Sequence, residues 1–423
     1  MAVLLAGCST SKRGIFAKKT PHEQYAARIL DAGLKETALG SLWFAAAEKA
    51  LLKPLTVSLP YQETGYFAAD RPDAAGYIFT AQQGEQLHIT VSVKPAGNIR
   101  LFADLWQPAA AGGAPSLLAS ADTTHLLQYE AERNSSFVLR LQPELLSGVE
   151  YTISITTRPS LAFPVPGQAN GRIGSFWGDA RDRGARSHEG VDIFGKFRMP
   201  VVAAADGFVT RTGENNLGGK VVFLRPDNKN YTLYYAHLDS QLVTSGQRVA
   251  AGDTVGLMGN TGNARNTPTH LHFGIYTGSG AVDPLPFIKA DRQNAPAITA
   301  SLNLLSAYCR NSAQASLYDA PSNSARVSNK LPANQVMRIL AAAGGWYKVS
   351  LPDNREGFIE SSRVTTRPYR KLVTAAATPL LDAPDSTAAV KSSIAAGETL
   401  QLLGGHNGYY FTENMSVAGW VKI

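Results

Sequence analysis

Thr269-His270-Leu271-His272-Phe273-Gly274-Ile275-Tyr276 alternates polar or small residues with apolar ones. Side chains of a β-strand point alternately to opposite faces, so the stretch predicts a strand with Leu271, Phe273 and Ile275 on a core face. His270, His272 and Gly274 then share the other face, toward a cleft. Gly274 is expected to leave room there for a ligand backbone to approach. Upstream, His188-Glu189-Gly190-Val191-Asp192 adds an imidazole and a carboxylate. Gly190 interrupts any helix, and Val191-Asp192-Ile193-Phe194-Gly195 reads as a second strand. Imidazole and carboxylate are the usual ligands of a hard-to-borderline divalent metal, and three protein ligands leave a place for a reactive water. Four of the eight histidines fall between His188 and His272, a clustering that packing alone does not explain. The two segments together predict a mononuclear metal site.

His188-Glu189-x-x-Asp192 also resembles the zincin helix motif His-Glu-x-x-His, but that motif needs a helix and a second histidine, and neither is predicted here. Glu189 is therefore a poor general base. His237 lies in Tyr231-Thr232-Leu233-Tyr234-Tyr235-Ala236-His237-Leu238, again strand-like. It is a candidate catalytic base or transition-state donor beside the metal, weighed against the plainer role of a hydrogen-bonded core histidine.

His-x-x-x-Asp, then Tyr-Ala-His-Leu, then His-x-His resembles the LytM/lysostaphin-type zinc metallo-endopeptidases that cut bacterial cell-wall peptides. The flanks agree: Arg172-Ile173-Gly174-Ser175-Phe176-Trp177-Gly178 before His188, Pro200-Val201-Val202-Ala203-Ala204-Ala205-Asp206-Gly207 after Asp192, and Val249-Ala250-Ala251-Gly252-Asp253 with Gly259-Asn260-Thr261-Gly262 before the histidine pair. The resemblance implies that His188, Asp192 and His272 bind Zn2+ and that His237 and His270 are catalytic, one of them carrying a proton from water to the leaving amine. It does not divide those two jobs, and it assigns no role to Trp177 or Asp179. Some members of the family have lost ligands and only activate other wall hydrolases. All five positions are kept here, which favours an active enzyme.

The chain has 423 residues, enough for about three or four domains. It is 44% hydrophobic and 17% charged, a globular composition. The net charge of +7 is a mild global excess; no Lys/Arg run or aromatic-basic ladder points to nucleic acid. No segment approaches the roughly 20 apolar residues of a membrane helix. The two cysteines, Cys8 and Cys309, define no disulfide framework. Leu5-Ala6-Gly7-Cys8 resembles a bacterial lipobox, which would make Cys8 a lipid anchor. Met1 to Gly7 is short for an apolar signal region and has no basic run before it, so either the true start lies upstream or the match is accidental. Cys309 is expected to be a lone buried thiol.

The expected fold is mostly β and multidomain. Residues 1–20 read as a signal remnant and basic tether. Residues 21–53 read as helical, with Thr20 as cap, Pro21 in the first turn, Glu23 closing a capping box and a break at Gly33. Tyr25, Ile29, Leu39, Leu42 and Trp43 are expected to face a neighbouring domain, and Pro54 ends the segment. Residues 54–157 alternate short strands and turns, an accessory β-sandwich in which His88 and His125 are structural. Residues 158–295 form the peptidase domain, entered through a proline-bearing linker over 158–168.

The tail repeats itself: Tyr318-Asp319-Ala320-Pro321 recurs as Leu381-Asp382-Ala383-Pro384, and Gly345-Trp346-Tyr347 as Gly408-Tyr409-Tyr410. Gly357-Phe358-Ile359 recurs as Gly419-Trp420-Val421 after a one-residue shift. This predicts two small barrels, 303–366 and 367–423, that resemble bacterial SH3-like domains. Trp346, Tyr347, Tyr409, Tyr410 and Trp420 are candidates for wall binding, although each alone is better explained as filling a tiny core.

Together these features predict a zinc-dependent endopeptidase acting on peptidoglycan cross-links, exported to the periplasm and lipid-anchored at the outer membrane through Cys8. The competing readings are a non-catalytic wall-binding lipoprotein that activates other hydrolases, and a zinc carboxypeptidase of wall peptides. The sequence does not specify the bond cut, the oligomeric state, or whether the N-terminal domains cover the site.

Overall fold

The structure, a computed structural model, describes residues 18–95, 100–109, 113–121, 126–167, 172–289, 294–414 and 417–423. Cys8, most of the tether and His125 lie outside the described residues.

Two helices lead, α1 (Pro21–Asp31) and α2 (Ala38–Leu52). The capping box is formed: the Thr20 hydroxyl accepts from Glu23 N–H, and the Glu23 carboxylate accepts from Thr20 N–H at 2.8 Å. Gly33, at φ 69°, turns the chain between the helices. Ile29 and Trp43 are buried against Phe102, and His22 stacks on Trp43 with ring centres 4.8 Å apart. Leu39 and Leu42 do not join them. They are 37% and 52% exposed, a departure from the expected apolar face. The buried contact is made by Ile29 and Trp43 against Phe102, with Tyr25, Ala26 and Phe44 packed around it, and Leu39 and Leu42 lie outside it.

The sandwich that follows is built from β1 (Leu55–Thr56), β2 (Tyr61–Phe67), β3 (Ala75–Ala81), β4 (Glu85–Lys94), β5 (Leu101–Gln107), β6 (Ser116–Ser120), β7 (Leu126–Glu130), β8 (Ser135–Pro143) and β9 (Val149–Pro159). One sheet runs β1-β3-β8-β5-β6 and the other β2-β9-β4-β7. Tyr77, Phe79, Leu87, Ile89, Leu139 and Ile153 fill the space between them. The second sheet does not stop at the sandwich. β2 pairs with Val336–Ala343 of the first barrel, Thr64 opposite Ala342, so sandwich and barrel share one continuous sheet.

The stretch after β9 is not a free linker. Leu161 and Val165 are buried in the core of the next domain, and backbone bonds Ala162 N–H to Ala204 O and Val202 N–H to Pro164 O stitch them down. Proline limits the backbone there, but the apolar residues between the prolines decide the packing.

The domain from Arg172 onward contains β10 (Ile173–Ser175), β11 (Ala180–Arg181), β12 (Arg186–Ser187), β13 (Val191–Phe194), β14 (Pro200–Val202), β15 (Gly207–Asn215), β16 (Gly219–Pro226), β17 (Tyr231–Gln241), β18 (Arg248–Val249), β19 (Thr254–Met258), β20 (His270–Thr277) and β21 (Gly280–Val282). Its main sheet runs β10-β13-β20-β17-β16-β15-β18, with β14 and β19 folding back over β17 and β11 pairing with β12 as a separate hairpin. Val191, Ile193, Leu233, Tyr235, Leu271, Phe273 and Ile275 point to one side and are fully buried. Each such side chain contributes about 1.5–3 kcal/mol, which pins the register and so fixes what faces the other way. The domain docks on the sandwich through Glu130, which accepts from Lys229 and from the Tyr231 hydroxyl, and through Phe287, which lies against Gly84.

The tail holds two barrels related by the repeat. Strands Ala315–Tyr318, Val327–Leu331, Val336–Ala343 and Trp346–Ser350 of the first correspond to Thr378–Leu381, Val390–Ile394, Thr399–His406 and Tyr409–Asn414 of the second. Tyr347, Tyr409 and Trp420 are buried in the barrel cores, and Trp346 packs on the sandwich core.

Candidate metal centre

β20 lies between β13 and β17, and its register assembles the site. Asp192 of β13 is directly opposite His272, Phe194 is opposite His270, and Ala236 of β17 flanks His272 on the other side. Directly opposed side chains in an antiparallel pair have Cβ atoms about 5 Å apart. The core residues Val191 and Ile193, Leu271 and Phe273 therefore force Asp192 and the two imidazoles onto one face.

His188 enters from the loop before β13. Gly190, between His188 and that strand, is required by close approach: a Cβ there would sit 2.6 Å from His272 Cε1 and 2.7 Å from Phe273 O. Gly274 plays a different part from the one expected. The space its missing side chain leaves is taken by Glu189 O at 3.2 Å and the Tyr276 ring, so it is not open to a ligand.

His237 owes its place to a break in the strand. Leu233 and Tyr235 of β17 face the core, and strict alternation would send His237 there too. Instead Leu238 is the next core residue, because His237 adopts φ 61° and the pairing with β16 and β19 shifts register around it. This bulge turns His237 to the cleft side with Ala236. A non-glycine residue held at positive φ costs of order 1–3 kcal/mol, and such bulges re-aim side chains beside functional sites. The conflicting parity of Tyr235 and Leu238 was the signal in the sequence.

The ligand atoms of His188, Asp192 and His272 lie within 4.8 Å of one another. His188 Nε2 is 3.0 Å from Asp192 Oδ1 and 2.9 Å from His272 Nδ1, and His272 Nδ1 is 3.1 Å from Asp192 Oδ1. His188 Nδ1 is 2.8 Å from Phe176 O, so it carries the proton and Nε2 of a neutral ring presents a lone pair. That lone pair faces a carboxylate oxygen and a second ring nitrogen. With both rings neutral and their protons on the far nitrogens, three acceptors converge at hydrogen-bond distance, and the donor set suits a divalent metal with one carboxylate and two imidazoles. Burial opposes ionisation of Asp192, but when the rings of His188 and His272 are protonated their hydrogen bonds and charge outweigh it and hold the carboxyl well below its usual range.

His270 and His237 stand beside this trio. His270 Nε2 is 3.9 Å from Asp192 Oδ1, and its Nδ1 donates to Pro268 O at 2.8 Å. His237 Nδ1 donates to Thr261 O at 2.9 Å. Both rings thus have a fixed tautomer with Nε2 left for the cleft. Burial, then the neighbouring His270 and His272, lowers the His237 pKa to about 4, so the ring is neutral at pH 7. The cleft, about 830 Å³, is lined by residues of this domain alone among the described residues, including Arg181, Arg186, Tyr234 and Tyr276. Among the described residues, none from the helices, sandwich or tail lines it. A larger depression of about 1550 Å³ on the sandwich, bordered by Glu85 and Arg133, holds no comparable donor cluster.

Sequence reasoning missed the groups behind the ligands. Arg181 donates to Asp192 Oδ2, and Phe176 O, Thr261 O and Pro268 O fix the imidazoles. Carbonyl partners leave no mark in a sequence. Arg181, in the two-residue strand β11, has no periodicity to single it out.

The donor set and the two flanking imidazoles all fall within a span that matches a known peptidase family. Residues 186–284 match peptidase family M23 and residues 313–365 match a bacterial SH3 domain; the chain is a mostly β, multidomain protein with an M23 peptidase domain. Among similar proteins are the L-Ala--D-Glu endopeptidase of Bacillus subtilis (strain 168), 37% identical over 141 residues, which are 30% of this chain and 43% of that protein. The murein hydrolase activator NlpD of Salmonella dublin is 36% identical over 101 residues, 24% of this chain and 26% of that protein. The solved catalytic domain of lysostaphin from Staphylococcus simulans is 33% identical, matched over 27% of this chain and 89% of that one, with a TM-score of 0.25. The chain spans less than half the length of these two curated relatives.

Proposed function

We propose that the protein is a zinc-dependent endopeptidase that hydrolyses peptide cross-links of bacterial peptidoglycan. The observation that carries this reading is the convergence of three acceptor atoms, on His188, Asp192 and His272, beside two histidines of fixed tautomer. His188 through Nε2, Asp192 through Oδ1 and His272 through Nδ1 would hold the metal. Zinc, when bound, supplies Lewis acidity and lowers the pKa of water to near 7. His237 and His270 turn Nε2 to the cleft, where one ring would take a proton from the attacking water and pass it to the leaving amine, while the other would have to carry a proton on Nε2 as well as Nδ1 to donate to the developing oxyanion. The neighbouring bacterial SH3 domain supports the wall as substrate, and export to the periplasm with a lipid anchor at Cys8 would bring the enzyme to it.

The match to an activator supports a second reading, a binding protein without catalysis. The presence of all five side chains stands against it. Intact sacculi treated with the wild-type protein and with His188→Ala separate the two. Loss of cross-linked dimers with wild type alone is the expected result. Wild type that binds one zinc and releases no new amino groups would make the activator reading the correct one. Release of single terminal residues with cross-links intact would indicate a carboxypeptidase.

A further inference from the structure

The segment 175–181 forms a hydrogen-bonded circuit behind two of the three ligands. Arg181 Nη2 donates to Asp192 Oδ2 at 2.9 Å and also to Ser175 Oγ. Ser175 Oγ in turn donates to Asp179 Oδ2 at 2.8 Å, and the same carboxylate oxygen accepts from Phe176 N–H at 2.8 Å. Phe176 O then accepts the proton of His188 Nδ1. The backbone closes the loop: His188 N–H donates to Asp179 O and Gly178 N–H to His188 O, each at 2.9 Å.

The two oxygens of Asp192 are divided by this circuit. Oδ2 is held by the guanidinium. Oδ1 faces His188 Nε2 and His272 Nδ1. A free carboxylate can turn about its last bond, or offer a cation both oxygens. With Oδ2 engaged, only Oδ1 is available to the ligand cluster. Groups that hydrogen-bond to metal ligands fix their orientation, and losing one typically costs roughly 10–100-fold in metal affinity.

We propose, resting on the zinc reading of the site, that Arg181 is a positioning residue that makes Asp192 a one-oxygen ligand and so keeps a coordination position open for water and substrate. A lysine at 181 keeps the charge and can donate, but lacks the rigid planar group whose Nη2 reaches both Ser175 Oγ and Asp192 Oδ2, so it restores only part of the effect.

The test compares wild type, Arg181→Gln and Arg181→Lys as full-length proteins. Zinc affinity is measured by competition with a chromogenic chelator, and the visible spectrum is recorded with cobalt in place of zinc. Arg181→Gln is expected to bind zinc about 10–100-fold more weakly, and its cobalt spectrum to weaken as Asp192 takes up a second bond to the metal. Arg181→Lys is expected to fall between. Zinc affinity and cobalt spectra equal to wild type in both variants would overturn the proposal, even if thermal unfolding in chelator showed a loss of stability. If Arg181→Gln does not fold, Arg181→Lys alone decides by the same two readouts. Wild type that takes up no stoichiometric zinc would instead overturn the reading of the site.

Discussion

Two clusters of buried polar side chains sit in this chain, and they are built on opposite plans. In the sandwich, the fully buried Glu63 carboxylate accepts from the hydroxyls of Tyr61 and Tyr77, each at 2.5 Å, and of Tyr151 at 2.9 Å. Every acceptor there meets a donor. Burial, with the Glu63 charge, pushes all three phenols well above their ordinary pKa, so they stay protonated and keep donating. Lys348 of the first barrel, paired with Glu356 at 3.0 Å, adds positive charge toward the same carboxylate. In the peptidase domain, by contrast, His188 Nε2, with the ring proton on Nδ1, turns a lone pair to Asp192 Oδ1, and His272 Nδ1 lies against both. The first cluster is complete as folded and serves the fold. The second, with neutral rings, has at most the His272 proton to share among three ligand atoms, and that shortfall marks it as a candidate cation site.

The contrast is sharpest on removing one side chain from each. His272→Ala is expected to abolish stoichiometric zinc binding and all hydrolysis, while unfolding in chelator stays within about 1 kcal/mol of wild type. Titration with zinc and separation of wall fragments check it. Substantial zinc binding without His272 would break the comparison at its first step. Glu63→Ala should do the reverse. It leaves two of the three phenols without an acceptor, since Tyr77 and Tyr151 can still bond to each other, and a buried lysine short of negative charge, at a cost of about 3–5 kcal/mol. Urea unfolding measures the loss, and zinc bound per folded chain should not change. A smaller effect is expected for Gly190→Ala, whose new methyl group must displace His272 or the backbone at Phe273. Zinc affinity should fall about tenfold or more, with a readable decrease in thermal stability.

The convergence of His188, Asp192 and His272 was largely legible in the sequence, because period-two alternation couples core residues to cleft residues. Once Leu271 and Phe273 are buried, His270 and His272 have nowhere else to point. The Glu63 cluster was not legible, since its partners Tyr77 and Tyr151 come from distant strands and no local pattern joins them. The same holds for the shared sheet: Thr64 opposite Ala342 is a pairing across most of the chain, and edge strands carry no mark of their partner. Leu39 and Leu42 misled because helical spacing shows which residues share a face, not how wide the contact is. The linker misled because the prolines over 158–168 drew attention from Leu161 and Val165.

The smallest expected effect belongs to Cys309. Burial alone pushes Cys309 up from an ordinary 9.0 to about 12. The folded state therefore favours the neutral thiol. Its contribution to stability is full below pH 9 and is lost as the pH rises from 9 toward 12. In protein beginning at Lys18, where Cys309 is the sole cysteine, a thiol reagent at pH 8 should react only after denaturant is added. Rapid labelling of the native protein would show that the first barrel opens more readily than its packing indicates.

The continuous sheet that joins sandwich and first barrel, together with the Glu130 contacts to Lys229 and Tyr231, puts the cleft and the barrel on one stiff frame. A tethered module searches a volume set by its linker. Here the separation is set by strand pairing, so it behaves as a fixed span. If the barrel grips the wall and the cleft cuts it as proposed, the cut would fall at a constant offset from the grip, so the protein would measure where it cleaves instead of sampling its surroundings.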